Sequence, residues 1–141
     1  MSTYSRAYIH RISEIRSEVG ISSSFDDADN PKRISFGALW DTGANVSAIS
    51  NRVANKLGLT PINHAMVETA NGKCEVPIYM IDMMLPGGIY VIRIKAMGIN
   101  LNVCDALVGM DVITQGDLLI TNAPNTRFEF RLPSKGAPSL K

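Results

Sequence analysis

Asp41-Thr42-Gly43 is the place in this 141-residue sequence where residue types and spacing could carry bond-breaking chemistry. An apolar run, Ile34 to Trp40, delivers the carboxyl of Asp41 to a turn, and Gly43 lets the backbone pass close to it. Hydrolysing an amide with carboxyl groups needs a charged base and a protonated acid at the same pH. Two carboxyl groups about 3 Å apart cannot both ionise, so they share one proton and fill both roles. The chain has a single motif of this kind, so the second carboxyl would come from another copy. A C2 dimer brings two identical loops together on its axis. Asp-Thr-Gly also suits an ordinary turn or helix cap, and arises by chance in roughly one chain of this length in forty. Context has to decide.

The elements around the motif read as β structure from Ile34 onward. Val46 to Ile49 is a short strand candidate. Ser50 then caps a helix that runs to Leu57, with Gly58 just past its end. Asn71-Gly72 is a strong hairpin signal inside Val67 to Val76. A two-residue turn there sets Ala70 opposite Lys73, Thr69 opposite Cys74, Val67 opposite Val76, and Glu68 against Glu75. That last pair joins like charges. Ile78 to Leu85 and Ile89 to Ala96 flank Pro86-Gly87-Gly88, a second hairpin in which Tyr90, Ile92, Ile94 and Ala96 share a face. Ala106-Leu107-Val108-Gly109 is another buried run, leading into a helix from Asp111 to Gln115 that Gly116 closes. Leu118 to Thr121 and Arg127 to Leu132 complete the strands, the latter with Phe128, Phe130 and Leu132 on its dry face. A strand reaching Gly and then a short helix ended by Gly thus occurs twice, at residues 38–58 and 106–116.

Residues 1–33 differ in character and read as an N-terminal extension. Tyr8 to Ile12 reads as a strand, although Ile9, Ile12, Arg16 and Val19 also fit a helical spacing. Ser22 to Lys32, rich in Ser, Asp and Asn, reads as a surface loop. The expected organisation is one domain, with a core over 34–132 and a loose tail over 133–141.

With these neighbours the motif resembles the active-site loop of retropepsin-like (retroviral-type) aspartic proteases. Asp-Thr-Gly follows an apolar strand and is followed by Ala44. The Asn-Gly hairpin lies about thirty residues on, where that family has its flap. Leu107-Val108-Gly109 occupies the place of its hydrophobic-hydrophobic-Gly motif. The resemblance spans roughly residues 34–132. It implies an all-β fold, a small closed barrel with one or two short helices, dimerising through the Asp41 loops and the chain termini. It implies an aspartic endopeptidase in which Asp41, Thr42 and Gly43 form the catalytic loop, the Thr42 hydroxyl bonding across the interface. Ala44 and Asn45 would meet the substrate backbone, and flap residues Thr69, Ala70, Asn71, Gly72, Lys73 and Cys74 would cover it. Leu107, Val108 and Gly109 would support the loop. Two departures stand out. Asn45 replaces an Asp common in viral members, and Met110-Asp111 replaces the matching Arg, which suggests an exchanged local network. A catalytically silent dimerisation or peptide-binding module on the same fold is the competing reading, since fold does not guarantee activity.

Other constellations are weaker. Hydrophobic residues make up 45% and charged residues 19%, which is globular rather than disordered composition. A net charge of +1 without a basic face gives no support to nucleic-acid or membrane-surface binding. Cys74 and Cys104, taken with His10 and His64, match neither a nucleophile signature nor tight metal-ligand spacing, so no metal and no cofactor is expected. Asp26-Asp27-Ala28-Asp29 starts like a calcium loop but lacks its Gly and Glu. Two cysteines form no disulfide framework, and Met1 to Arg11 carries no signal-peptide pattern, so a cytoplasmic location is expected. Met80, Met83, Met84, Met97 and Trp40 read as core.

Overall fold

The computed structural model describes residues 2–136. Among the described residues ten strands and two short helices follow one another: β1 Ser2–Ala7, β2 Ile15–Ser23, β3 Ile34–Trp40, β4 Ala48–Ile49, α1 Asn51–Leu57, β5 Asn63–Thr69, β6 Gly72–Leu85, β7 Ile89–Gly98, β8 Ala106–Val108, α2 Met110–Ile113, β9 Asp117–Thr121 and β10 Arg127–Leu132. The larger sheet has the order β2-β3-β8-β4-β7-β6-β5, and an additional β2–β6 pairing closes six of these strands into a barrel. Closure removes the free edges of those six strands, so each of them can bury one face without exposing a ladder. β5 hangs outside the ring, paired only with β6. A separate sheet, β1-β10-β9, packs beside the barrel.

Period-2 alternation explains most of the strands. Phe128 and Phe130 are fully buried on one face of β10, with Glu129 between them on the other. Trp40, at the end of β3, joins the two sheets. Its ring lies 5.6 Å from Phe128 and 5.2 Å from Phe130, and its indole N–H donates to the buried Ser17 hydroxyl at 2.8 Å. α1 begins and ends as its sequence dictates. The Ser50 hydroxyl accepts from the Val53 N–H, and Gly58 adopts φ 61°, the left-handed cap that lacks a Cβ penalty.

The N-terminal region departs from expectation. Tyr8 to Ile12 is not a strand. β1 lies earlier, at Ser2–Ala7, and β2 occupies Ile15–Ser23, so the surface loop starts at Ser24. β2 alternates strictly at first, burying Ile15, Ser17, Val19 and Ile21, but its buried positions include Ser and flank Gly20, which blurs the apolar signal. The face proposed for Tyr90, Ile92, Ile94 and Ala96 is also wrong. Tyr90 and Ile92 are 41% and 60% exposed, whereas Ile94 and Ala96 are buried. A bulge at Arg93 (φ 58°) opposite Asp82 shifts the alternation by one residue, and the Asp82 carboxylate accepts the Arg93 N–H at 3.0 Å. Met83 is fully buried, while Met80, Met84 and Met97 are only partly so.

The tail begins tied down rather than loose. Asp117 accepts from the Ser134 hydroxyl, from the Lys135 N–H at 2.7 Å and from Arg131 at 2.9 Å. Residues 137–141 of the expected tail lie outside the described residues. These contacts, the Ser134 hydrogen bond foremost, pull the Asp117 carboxyl from 3.8 down to about 2.

Two predictions follow from this packing. Phe130→Ala should lower unfolding free energy by about 3–5 kcal/mol, read from urea denaturation at fixed protein concentration. For Asp117 the folded carboxyl is the stronger acid. Its stabilisation should be complete above pH 4 and fade as pH falls toward 2. Comparing acid unfolding of wild type and Asp117→Asn should show the variant less sensitive over that window, with salt reducing the difference because the group keeps solvent contact.

Candidate active site

Asp41 lies at the first position after β3, where parallel pairing with β8 runs out. The register Ala38–Ala106, Leu39–Leu107 and Trp40–Val108 ends in one more bond, from the Asp41 N–H to the Val108 carbonyl at 2.9 Å. The side chain is therefore aimed by a rigid strand pair rather than by a free loop. The Gly43 N–H donates to Asp41 Oδ1 at 2.9 Å, and the Ala44 N–H donates to the Asp41 carbonyl at 3.2 Å, which folds residues 41–44 into a tight turn. Asp41 stays partly exposed, and Thr42 and Gly43 are exposed. A Cβ at position 43 would lie 3.2 Å from Asp41 Oδ1, so glycine keeps room beside the carboxylate. Among the described residues the Thr42 hydroxyl has no hydrogen-bond partner.

Behind the turn, the second apolar-Gly run acts as its backstop. The Met110 N–H donates to the Ala44 carbonyl at 2.8 Å. Gly109 touches the turn so closely that a Cβ would sit 2.8 Å from the Val46 carbonyl and 3.0 Å from the Ala44 oxygen. Its φ of −92° is ordinary, so closeness, not conformational freedom, requires glycine there.

The expected exchanged network exists, with a different partner. Asp111 accepts from the Ser47 N–H at 3.0 Å and the Ser47 hydroxyl at 2.7 Å, and the Ser47 hydroxyl accepts from the Gly109 N–H at 3.0 Å. Ser47 is fully buried, whereas Asn45 is exposed and outside the network. A serine amid Val46, Ala48 and Ile49, where a buried strand should be apolar, was the available signal for it.

The structure thus brings Asp41, Thr42, Gly43 and Ala44 together with Leu107, Val108 and Gly109. It leaves Thr69, Ala70, Asn71, Gly72, Lys73 and Cys74 apart, all exposed at the free end of the β5–β6 hairpin with no hydrogen bond to the Asp41 turn. The hairpin register also differs. Thr69 pairs with Gly72, Glu68 with Lys73 and Val67 with Cys74, so the turn is Ala70-Asn71. The Thr69 hydroxyl stabilises this version, accepting from the Asn71 N–H at 3.2 Å and donating to the Gly72 carbonyl at 2.8 Å. Gly72 takes φ 105°, which few other residues tolerate. Opposite charges at Glu68 and Lys73 replace the like-charge pair. Because the shift keeps parity, Val67, Thr69, Cys74 and Val76 still share a face.

Residues that the sequence did not flag also approach the site. A depression beside Asp41 and Thr42 is lined by Glu14, Trp40, Leu118 and Ile120 among others, and a larger one of about 820 Å³ runs from Thr42 past Met110 and Ile113 along β9.

Comparison with known proteins decides the family. Residues 32–115 match the family described as "gag-polyprotein putative aspartyl protease". The chain belongs to the retropepsin-like aspartic proteases. Among solved structures it is similar to a retropepsin-like aspartic protease from Rickettsia conorii, with TM-score 0.51 and 17% identity over 86% of this chain and 96% of that one. No curated protein matches it. The chain has the family's all-β barrel and two short helices among its described residues. None of its described helices is long and apolar enough to cross a membrane.

The backstop contact makes a simple forecast. Gly109→Ala should lower the thermal midpoint by an amount corresponding to about 1–3 kcal/mol, because the added methyl meets backbone that cannot yield. Gly37→Ala, where a Cβ meets nothing within 4 Å, serves as the control and should leave the midpoint within a degree or so.

Proposed function

We propose that the protease is an aspartic endopeptidase that works as a homodimer, with the Asp41 carboxyls of two copies sharing one proton. The observation that carries this reading is the geometry of the turn. A carboxylate fixed at its backbone by Val108, at its side chain by Gly43, and left partly open to solvent is held for chemistry that one carboxyl cannot complete. An acid kept only for turn formation gains nothing from a strand-pair support and a glycine clearing its oxygen.

In this mechanism the charged Asp41 takes a proton from a bound water as the oxygen attacks the scissile carbonyl carbon. The protonated Asp41 of the mate donates to the carbonyl oxygen, giving a neutral diol. The pair then returns a proton to the amine nitrogen, removes one from the diol, and the C–N bond breaks. The Thr42 hydroxyl, without a partner among the described residues, would bond to the mate's loop. Ala44 and Asn45 would meet the substrate backbone. The β5–β6 hairpin would fold over an extended peptide with Val67, Thr69, Cys74 and Val76 inward, excluding water from the reaction.

Asp41→Asn should abolish cleavage of unstructured peptides, by more than a thousand-fold on the usual scale for losing a catalytic acid–base group, while sedimentation mass and thermal midpoint stay near wild type. Undiminished cleavage by this variant would end the reading. A fully folded wild-type dimer that cleaves no peptide library would favour a silent binding module instead.

A further inference from the structure

We propose that the groove between β1, the outer face of β2–β3 and the loop 99–105 binds an acidic peptide segment, with Arg6, Arg16 and Arg52 taking its carboxylates over a floor at Gly37. The groove has a volume of about 720 Å³, in the range of ligand sites. It lies where the β3–β8 ladder begins, whereas Asp41 lies where that ladder ends, so the inference stands apart from the paired-aspartate reading.

The first observation is the floor. Gly37 sits in the middle of β3, where glycine weakens a strand and leaves no side chain to pack. The usual structural reasons for it are missing. Its φ is not positive, and a Cβ there would meet nothing within 4 Å. Its carbonyl accepts from the Asp105 N–H at 3.0 Å, a bond that any residue could make. Glu18, its neighbour on β2, has its carboxylate held by the Ser35 hydroxyl at 2.8 Å. What glycine leaves is a bare, exposed stretch of strand that another backbone can approach closely.

The second observation is the set of arginines. Arg6 is oriented without being neutralised. It donates to the Arg16 carbonyl at 2.9 Å, lies 4.6 Å from the centroid of the Tyr8 ring, and forms no ion pair among the described residues. Arg16 donates to the Val103 carbonyl at 2.9 Å and pairs with Glu14, outside the groove. Arg52 engages Asp105 through Nε and Nη2, which leaves its Nη1 without a partner among the described residues. Side chains ordered in advance lose less entropy when a ligand arrives.

Charge and shape select the occupant. Three arginines in the lining face two carboxylates, Glu18 and Asp105, so the groove keeps a local positive excess. Guanidinium groups take carboxylates in forked hydrogen bonds. Asn51, Asn100 and Asn102 add amides that match peptide groups. A nucleic-acid strand suits the groove less, because Glu18 and Asp105 would face its unbroken row of phosphates.

The test uses the full chain and a fluorescent hexapeptide of alternating Glu and Ala, with a Gln-Ala peptide beside it. By anisotropy at low salt the acidic peptide should bind roughly ten-fold or more tightly than its neutral counterpart. Arg6→Gln and Arg52→Gln should each weaken binding about ten-fold. Lys95→Gln, an equal loss of charge on β7, should leave binding unchanged. Gly37→Leu should abolish it with the thermal midpoint near wild type, since its side chain fills the floor. Saturating peptide should slow maleimide labelling of Cys104, which lines the groove, and not of Cys74, exposed on the β5–β6 hairpin. Equal binding of the two peptides, equal losses in Lys95→Gln and Arg6→Gln, undisturbed binding in Gly37→Leu, or unslowed Cys104 labelling would each overturn the site. Displacement of the peptide by an RNA oligonucleotide of equal charge would overturn the acidic-peptide class. Cleavage of the probe, followed by mass spectrometry, reports on Asp41 and is scored separately.

Discussion

The contact on which the site depends is the one between Gly109 and the carbonyls of Ala44 and Val46. At that separation a single methyl group does not fit, so the two apolar-Gly segments are held backbone to backbone. The hydrogen bonds at the contact, Met110 to Ala44 and Gly109 to Ser47, then fix the Asp41 turn from behind. In front, the Gly43 N–H and the Val108 carbonyl set the direction of the carboxylate and the start of the loop. Four backbone groups and two glycines thus fix the Asp41 turn without any charged neighbour in it.

The rest of the fold transmits stiffness to this point. Barrel closure through β2–β6 keeps β3 and β8 in parallel register, and that register carries Asp41 to the end of the ladder. Trp40 packs on Phe128 and Phe130 one residue before Asp41, so the separate β1-β10-β9 sheet is coupled mechanically to the Asp41 turn. The hairpin is organised on the contrary principle. β5 pairs with β6 alone, and its tip is solvent-exposed.

Much of the site was legible in the sequence because its signals are local. Asp41-Thr42-Gly43 after an apolar strand, the Ser50 cap and the Gly58 stop each depend on interactions within a few residues. Where the readings failed, a nonlocal contact overruled a local pattern. The alternation in β7 breaks at Arg93 because Asp82, eleven residues away, captures its N–H. The hairpin turn moved from Asn71-Gly72 to Ala70-Asn71 because the Thr69 hydroxyl and the Glu68–Lys73 pairing favour the neighbouring register. β2 was missed because its buried face includes Ser17, whose polarity is satisfied only by Trp40, twenty-three residues on.

The amino-acid order by itself determined the chemistry that is possible, one acid in a glycine turn, and the run of strands around it, since strand periodicity and turn residues act over short range; the class of barrel came only with the family resemblance of the motifs. It did not determine which edge remains unpaired. The β1–β10 pairing, which leaves β9 at the edge of its sheet beside Asp41, joins residues at least one hundred and twenty positions apart and forms only in the folded chain. Likewise Ser47 became part of the site only when Gly109 and Asp111, more than sixty residues away, closed around it. Such choices depend on the burial of surfaces that meet only after the chain has folded.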